Sequence, residues 1–101
     1  MFDKLMQAQQ MAEDIKKKLE TIEVTGEAEG GKIKVTANGN KIIKNISILP
    51  EFLASADQEQ LEELLTVAVN KAIQEADVVG QQQTQKATTD LLGGFGAMFG
   101  Q

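Results

Sequence analysis

"VTANGNKIIKNISI", residues 35–48, carries two short strands around an Asn-Gly turn. Before the turn, Ile33, Val35 and Ala37 alternate with Lys32, Lys34 and Thr36, the two-residue period of a half-buried strand. Asn38-Gly39-Asn40 makes the turn, because Asn and Gly accept positive φ at little cost. Residues 41–49 read as the following strand, with Ile42, Ile46 and Ile48 on one face, and Pro50 ends it. Upstream, Ile22, Val24, Gly26 and Ala28 alternate with Glu23, Thr25 and Glu27, giving an earlier strand that turns at "EGG", residues 29–31. Short turns imply an antiparallel three-stranded meander. Three strands with one apolar face need a cover.

Two helical segments flank the strands. Leu5, Ala8, Ala12, Ile15, Leu19 and Ile22 recur at spacings of three and four, a narrow heptad seam suited to a partner helix. On the same segment, Glu13 precedes Lys17, and Asp14 precedes Lys18, by four residues, the favourable order for helical ion pairs. After Pro50, Asp57 and Gln60 have the spacing of a capping box. Leu61, Leu64, Leu65, Ala68, Val69, Ala72, Ile73 and Ala76 then fill about half the circumference of a helix. Val67 and Val78 lie outside that arc, so the helix is more apolar than one sheet face requires. The surplus predicts a homodimer, with Leu5, Ala8, Ala12, Ile15, Leu19, Val67, Val69 and Ile73 at its interface. Gly80 is a point where the helix ends or loosens, and "QQQTQKATTD" extends it weakly or frays. The expected organisation is a single domain over residues 1–90 and a Gly-rich flexible tail, "LLGGFGAMFGQ", over residues 91–101.

Composition narrows the chemistry. The 101 residues suit one domain, and the chain contains no Cys, His, Trp, Tyr or Arg. Without Cys and His the usual metal ligands and general base are missing, so no metal site and no cofactor are expected. The adjacent carboxylates Glu13-Asp14 and Glu62-Glu63 point in different directions on a helix and form no dyad. No phosphate-loop pattern accompanies Gly30-Gly31. A non-enzymatic protein is expected, with no catalytic residues. The start, "MFDKLMQ", has no signal-peptide pattern, and no apolar run approaches a membrane span of about 20 residues. These features predict a cytoplasmic protein without a membrane partner.

The net charge is −5, unevenly spread. Residues 1–49 hold eight lysines against seven acidic residues, whereas residues 50–80 hold one lysine against seven. An anionic partner should therefore meet the first half. Lys16-Lys17-Lys18 is the densest basic cluster. It admits two readings, a solvated helix face with ion pairs four residues apart, or a set of phosphate contacts. Lys32, Lys34, Lys41 and Lys44 on the hairpin likewise read as edge protection or as a basic face along a phosphate backbone. The strands lack the aromatic residues of an RNA-recognition sheet.

Taken whole, the order is familiar. "LMQAQQM" in a first helix leads to "EVTGEAEGGKIKVTANGNKIIKNISI", a lone Pro, "EQLEELLTVAVNKAIQEA" and a Gly-rich end. Over about residues 4–80 the chain resembles the YbaB/EbfC family of bacterial nucleoid-associated proteins. The resemblance implies an α+β fold with an N-terminal helix, a three-stranded antiparallel meander and a long C-terminal helix. It implies a homodimer with projecting helices that binds duplex DNA with loose sequence preference. A nucleoid location follows, with a role in nucleoid organisation or gene regulation. Members are often encoded beside replication and recombination-repair genes, which makes those proteins possible partners. Members often have Ile-Asp-Pro after the third strand, where this chain has Ile48-Leu49-Pro50. On this reading Lys16, Lys17 and Lys18 contact phosphates, with Lys4, Lys32, Lys34 and Lys41 as further contacts. The alternative is an adaptor whose surplus apolar surface docks replication or repair proteins.

Overall fold

The computed structural model describes the backbone of residues 2–98 and the side chains of residues 3–90. The element order is α1 (Phe2–Thr21), β1 (Glu23–Ala28), β2 (Ile33–Asn38), β3 (Ile43–Ile48), α2 (Pro50–Ser55) and α3 (Gln58–Met98). The strands form an antiparallel sheet in the order β1-β2-β3. The fold is thus α+β, as the strand and helix periodicities predict.

The alternation in β2 sorts its side chains cleanly. Ile33, Val35 and Ala37 are buried, and Lys34 is exposed on the opposite face. Burying Ile33 and Val35 completely contributes roughly 2 kcal/mol each. The cover is α3, which lies across β1 and β2. Ala68, Ala72 and Ala76, four residues apart, form a fully buried row of small side chains along it. That row lets the helix backbone descend onto the sheet. At Gly26 it touches: a Cβ built there overlaps the carbonyl oxygen of Ala68 and the amide nitrogen of Ala72. Asp57 caps α3, its Oδ1 accepting from the Gln60 amide at 2.8 Å, as the spacing of these residues predicts.

Three features differ from the sequence expectations. First, α3 runs unbroken past Gly80, its backbone helical to Met98; residues 99–101 lie outside the described residues. Second, Pro50 both ends β3 and starts α2, because its fixed φ suits the first turn of a helix. Phe52 of α2 is buried in the core. Third, a register shift between Thr36 and Ala37 brings Ile43, not Ile42, opposite Ala37. Ile43, Ile46 and Ile48 then share the face of Ala37, Val35 and Ile33.

Helix α3 does not extend over β3. Ile46 therefore remains 47% exposed although its cross-strand partner Val35 is fully buried. Ile43, on the same face, is also exposed, as are Ile42, Leu49 and Leu53.

The seam on α1 is partly satisfied within the chain. Leu19 is buried, lining a groove with Ala76 and Gly80 of α3, while Met11 and Ile15 line a cleft with Gln83 and Ala87. The two helices therefore run antiparallel. Leu19 packs within its own chain, where the long C-terminal helix supplies a neighbouring helix in cis. Leu5, Ala8 and Ala12 stay exposed, as does Val67; Val69 and Ile73 are half-buried. The molecule is elongated, 64 × 27 × 18 Å.

Replacing Gly26 by Ala should destabilise the fold by about 3 kcal/mol, because the overlap is with helix backbone rather than a flexible side chain. The midpoint of urea unfolding checks this; an unchanged midpoint would mean that α3 does not sit this closely on β1.

Candidate nucleic-acid interface

The Asn-Gly-Asn turn does more than reverse the chain. The Gly39 amide donates to the carbonyl oxygens of Leu19 at 2.9 Å and Ile22 at 3.0 Å. Asn40 Nδ2 donates to the Lys16 carbonyl oxygen at 3.0 Å. These bonds tie the turn to the last two turns of α1 and to the residue after it, and the Leu19 carbonyl is one that the end of α1 leaves without an i+4 donor. A Cβ on Gly39 would lie 2.7 Å from Leu19 Cδ2, so a larger residue here would displace the Leu19 side chain. The turn is itself rigid: the buried Asn38 Oδ1 accepts from the Asn40 amide at 2.9 Å and the Ile42 amide at 3.1 Å. The last turns of α1, which carry Lys16, Lys17 and Lys18, are thereby fastened to the β2–β3 turn, which carries Lys41.

All three lysines of the cluster are exposed. The ion pairs expected with Glu13 and Asp14 are not formed; Asp14 Oδ1 accepts instead from Gln10 Nε2 at 2.9 Å. Among the described residues the ion pairs are Lys34–Glu27 at 3.7 Å and Lys41–Asp77 at 3.0 Å. Lys16, Lys17 and Lys18 therefore keep their charge available. Lys18 shares its cleft with Lys86 of α3 and with the carboxylates Asp14 and Asp90, neither of which is within ion-pair distance of a lysine among the described residues. Sequence reasoning missed Lys86, because it is 68 positions away and only the antiparallel packing of α1 and α3 brings it near.

The remaining sequence candidates do not gather on one surface. Lys34 faces solvent on the outer side of the sheet, beside Glu27 and among Thr25, Thr36, Asn45 and Ser47. Lys32 lies at the opposite end of β2 from the Asn-Gly-Asn turn, with Nζ 5.6 Å from the Phe52 ring centroid. Lys4 is exposed in the first turns of α1, roughly 18 Å along the axis from Lys16. The hairpin is thus no continuous basic face.

Charge is segregated along α3. Glu59, Glu62 and Glu63 stand in its first two turns, all exposed. Gln83, level with the lysine cluster, is about 30 Å farther along the axis. With a Debye length of about 8 Å at physiological ionic strength, those carboxylates are screened from a ligand on the lysines. The carboxylates near the cluster are instead Glu13, Asp14 and Glu20 of α1 and Asp77 and Asp90 of α3. No described helix is long and apolar enough to cross a membrane.

Breaking the Asn40–Lys16 bond tests the fastening. Asn40→Ala should cost about 1 kcal/mol in stability. It should also speed amide exchange in the last turn of α1 more than in β2; equal exchange in both elements would show that α1 does not depend on the turn.

Comparison with known proteins agrees with this architecture. The sequence model of the YbaB/EbfC DNA-binding family matches residues 1–91. A nucleoid-associated protein of Acinetobacter baumannii is 38% identical over 94 residues, covering 86% of this chain and 85% of that protein. One from Chlorobium phaeobacteroides is 36% identical over 94 residues, covering 93% and 83%. The crystal structure of an uncharacterized Helicobacter pylori protein superposes with a TM-score of 0.67 at 19% identity, covering 79% of this chain and 93% of that one.

Proposed function

The chain belongs to the YbaB/EbfC DNA-binding family, and we propose that it binds duplex DNA as a homodimer through lysine–phosphate contacts and serves nucleoid organisation or gene regulation. One observation carries the reading: three consecutive lysines, without carboxylate partners among the described residues, stand on a fastened helix end remote from the acidic turns of α3. Phosphate contacts of this kind supply affinity without sequence information. The absence of Arg removes the commonest bidentate contact to guanine, which agrees with a loose sequence preference. Lys16, Lys17 and Lys18 are the primary contacts, Lys41 and Lys86 flank them, and Lys4 extends the surface along α1. Lys32 and Lys34 lie outside it.

A second copy of the chain is proposed to cover the apolar surface that one copy leaves open. That surface includes Ile43, Ile46, Leu49 and Leu53 beside β3, in addition to exposed Leu5, Ala8, Ala12 and Val67 and half-buried Val69 and Ile73. The strip beside β3 also favours a second reading, an adaptor docking a replication or repair protein there. Solution mass separates the two. Light scattering should give about 22 kDa, twice the 10.9 kDa of the chain; a mass of one chain would leave the strip to another protein.

For the DNA contact, a labelled mixed-sequence duplex titrated by fluorescence anisotropy should bind, with affinity falling steeply as salt rises. Changing Lys16, Lys17 and Lys18 together to Gln should weaken binding at least tenfold and flatten the logarithmic salt slope by up to about 2.7 for each copy of the chain in contact with the duplex. Unchanged affinity would remove the cluster from the interface.

A further inference from the structure

A groove opens between the β2–β3 turn and α3, lined by Asn40, Lys41, Asp77, Gln81, Thr84 and Gln85 over a floor that includes Leu19 and Gly39. It adjoins the lysine cluster, since Asn40 is bonded to the Lys16 carbonyl. Within it two donors converge on one carboxylate. Lys41 Nζ lies 3.0 Å from Asp77 Oδ1, and Gln81 Nε2 donates to Asp77 Oδ2 at 3.0 Å. Asp77 thus occupies the place that an oxyanion from outside would take. The Lys41 backbone is left-handed, with φ of 66°, and the turn that holds it is fixed at both neighbours, so its side chain is held on the α3 side of the turn. Both members of the ion pair are about half exposed, 50% and 49%, which makes the pair weak and exchangeable.

We propose that this groove seats a sugar–phosphate strand, with a phosphate replacing the Asp77 carboxylate as the anion held by Lys41 and Gln81. The inference rests on the DNA-binding reading and adds the residue that sets its strength. Asn40, Thr84 and Gln85 supply uncharged donors along the strand, and Asp77 opposes it by competing for Lys41 and repelling the phosphate. The Lys34–Glu27 pair, at 3.7 Å on the open outer face of the sheet, has no such groove beside it and no such role.

The test compares anisotropy titrations of the same duplex by the unchanged chain, Asp77→Asn and Glu59→Gln. Each variant removes one negative charge, but Glu59 lies about 27 Å from Asp77 along α3. Asp77→Asn should bind about threefold to fivefold more tightly, the equivalent of one exposed ion pair. Its salt slope should steepen by up to about 0.9, one further phosphate neutralised. Glu59→Gln should bind like the unchanged chain. Adding Lys41→Gln to Asp77→Asn should abolish the gain. An equal gain in both single variants, or none in either while the unchanged chain binds with steep salt dependence, overturns the phosphate seat and leaves the DNA-binding reading standing. Absence of binding by all of them at low salt overturns the DNA-binding reading and the seat with it.

Discussion

The contact between the backbone of α3 and the bare face of Gly26 organises this molecule. A helix normally stands off a sheet by the depth of its side chains. Here a glycine on the strand and a row of alanines on the helix remove that depth. The close seat fixes which strands α3 covers, and it covers β1 and β2. The consequences run in two directions. Beside the helix, the inner face of β3 is left open, so isoleucines that pair with buried residues are themselves exposed. Along the helix, the continuation of α3 beyond the sheet offers a surface to which α1 returns antiparallel.

The Asn-Gly-Asn turn is the second constraint, and it ties structure to charge. By donating Gly39 and Asn40 protons to the carbonyls at the end of α1, it makes the helix end and the hairpin one unit. Lys16, Lys17, Lys18 and Lys41 are carried by that unit, while the acidic first turns of α3 are several Debye lengths away. An acidic chain can in this way carry a cluster of lysines without ion-pair partners among the described residues, although Glu13, Asp14, Glu20 and Asp90 stand on the same end. The length of α3 keeps the two regions apart, so its uninterrupted passage through Gly80 is an electrostatic feature as well as a structural one.

Much of this was legible in the residues. The alternation around residues 22–48 marked three strands and the inward faces of the first two, the Asn-Gly and Gly-Gly pairs marked the turns, and Asp57 marked the start of α3, because each depends on interactions within a few residues of chain; the register shift that turns Ile43 rather than Ile42 inward was not legible. The lysine cluster was legible as three adjacent letters. Local signals also misled where tertiary contacts outweighed them. Gly80 weakens a helix in isolation, yet α3 passes through it beside Leu19 and Gly39.

What the sequence could not determine is what covers each apolar stripe and what neutralises each charge. A periodic pattern shows that a face of α1 is apolar; it does not distinguish a helix of the same chain from one of another, and only the tertiary structure shows α3 of the same chain beside Ile15 and Leu19. The same holds for the lysines. Seven were candidates by composition, and packing decides that Lys34 meets Glu27, that Lys41 meets Asp77, and that Lys16, Lys17 and Lys18 meet no carboxylate among the described residues. The reason is physical: side-chain periodicity is set by backbone geometry over a few residues, whereas pairing is set by distances between elements far apart in the chain, which exist only once the helices have closed on the sheet.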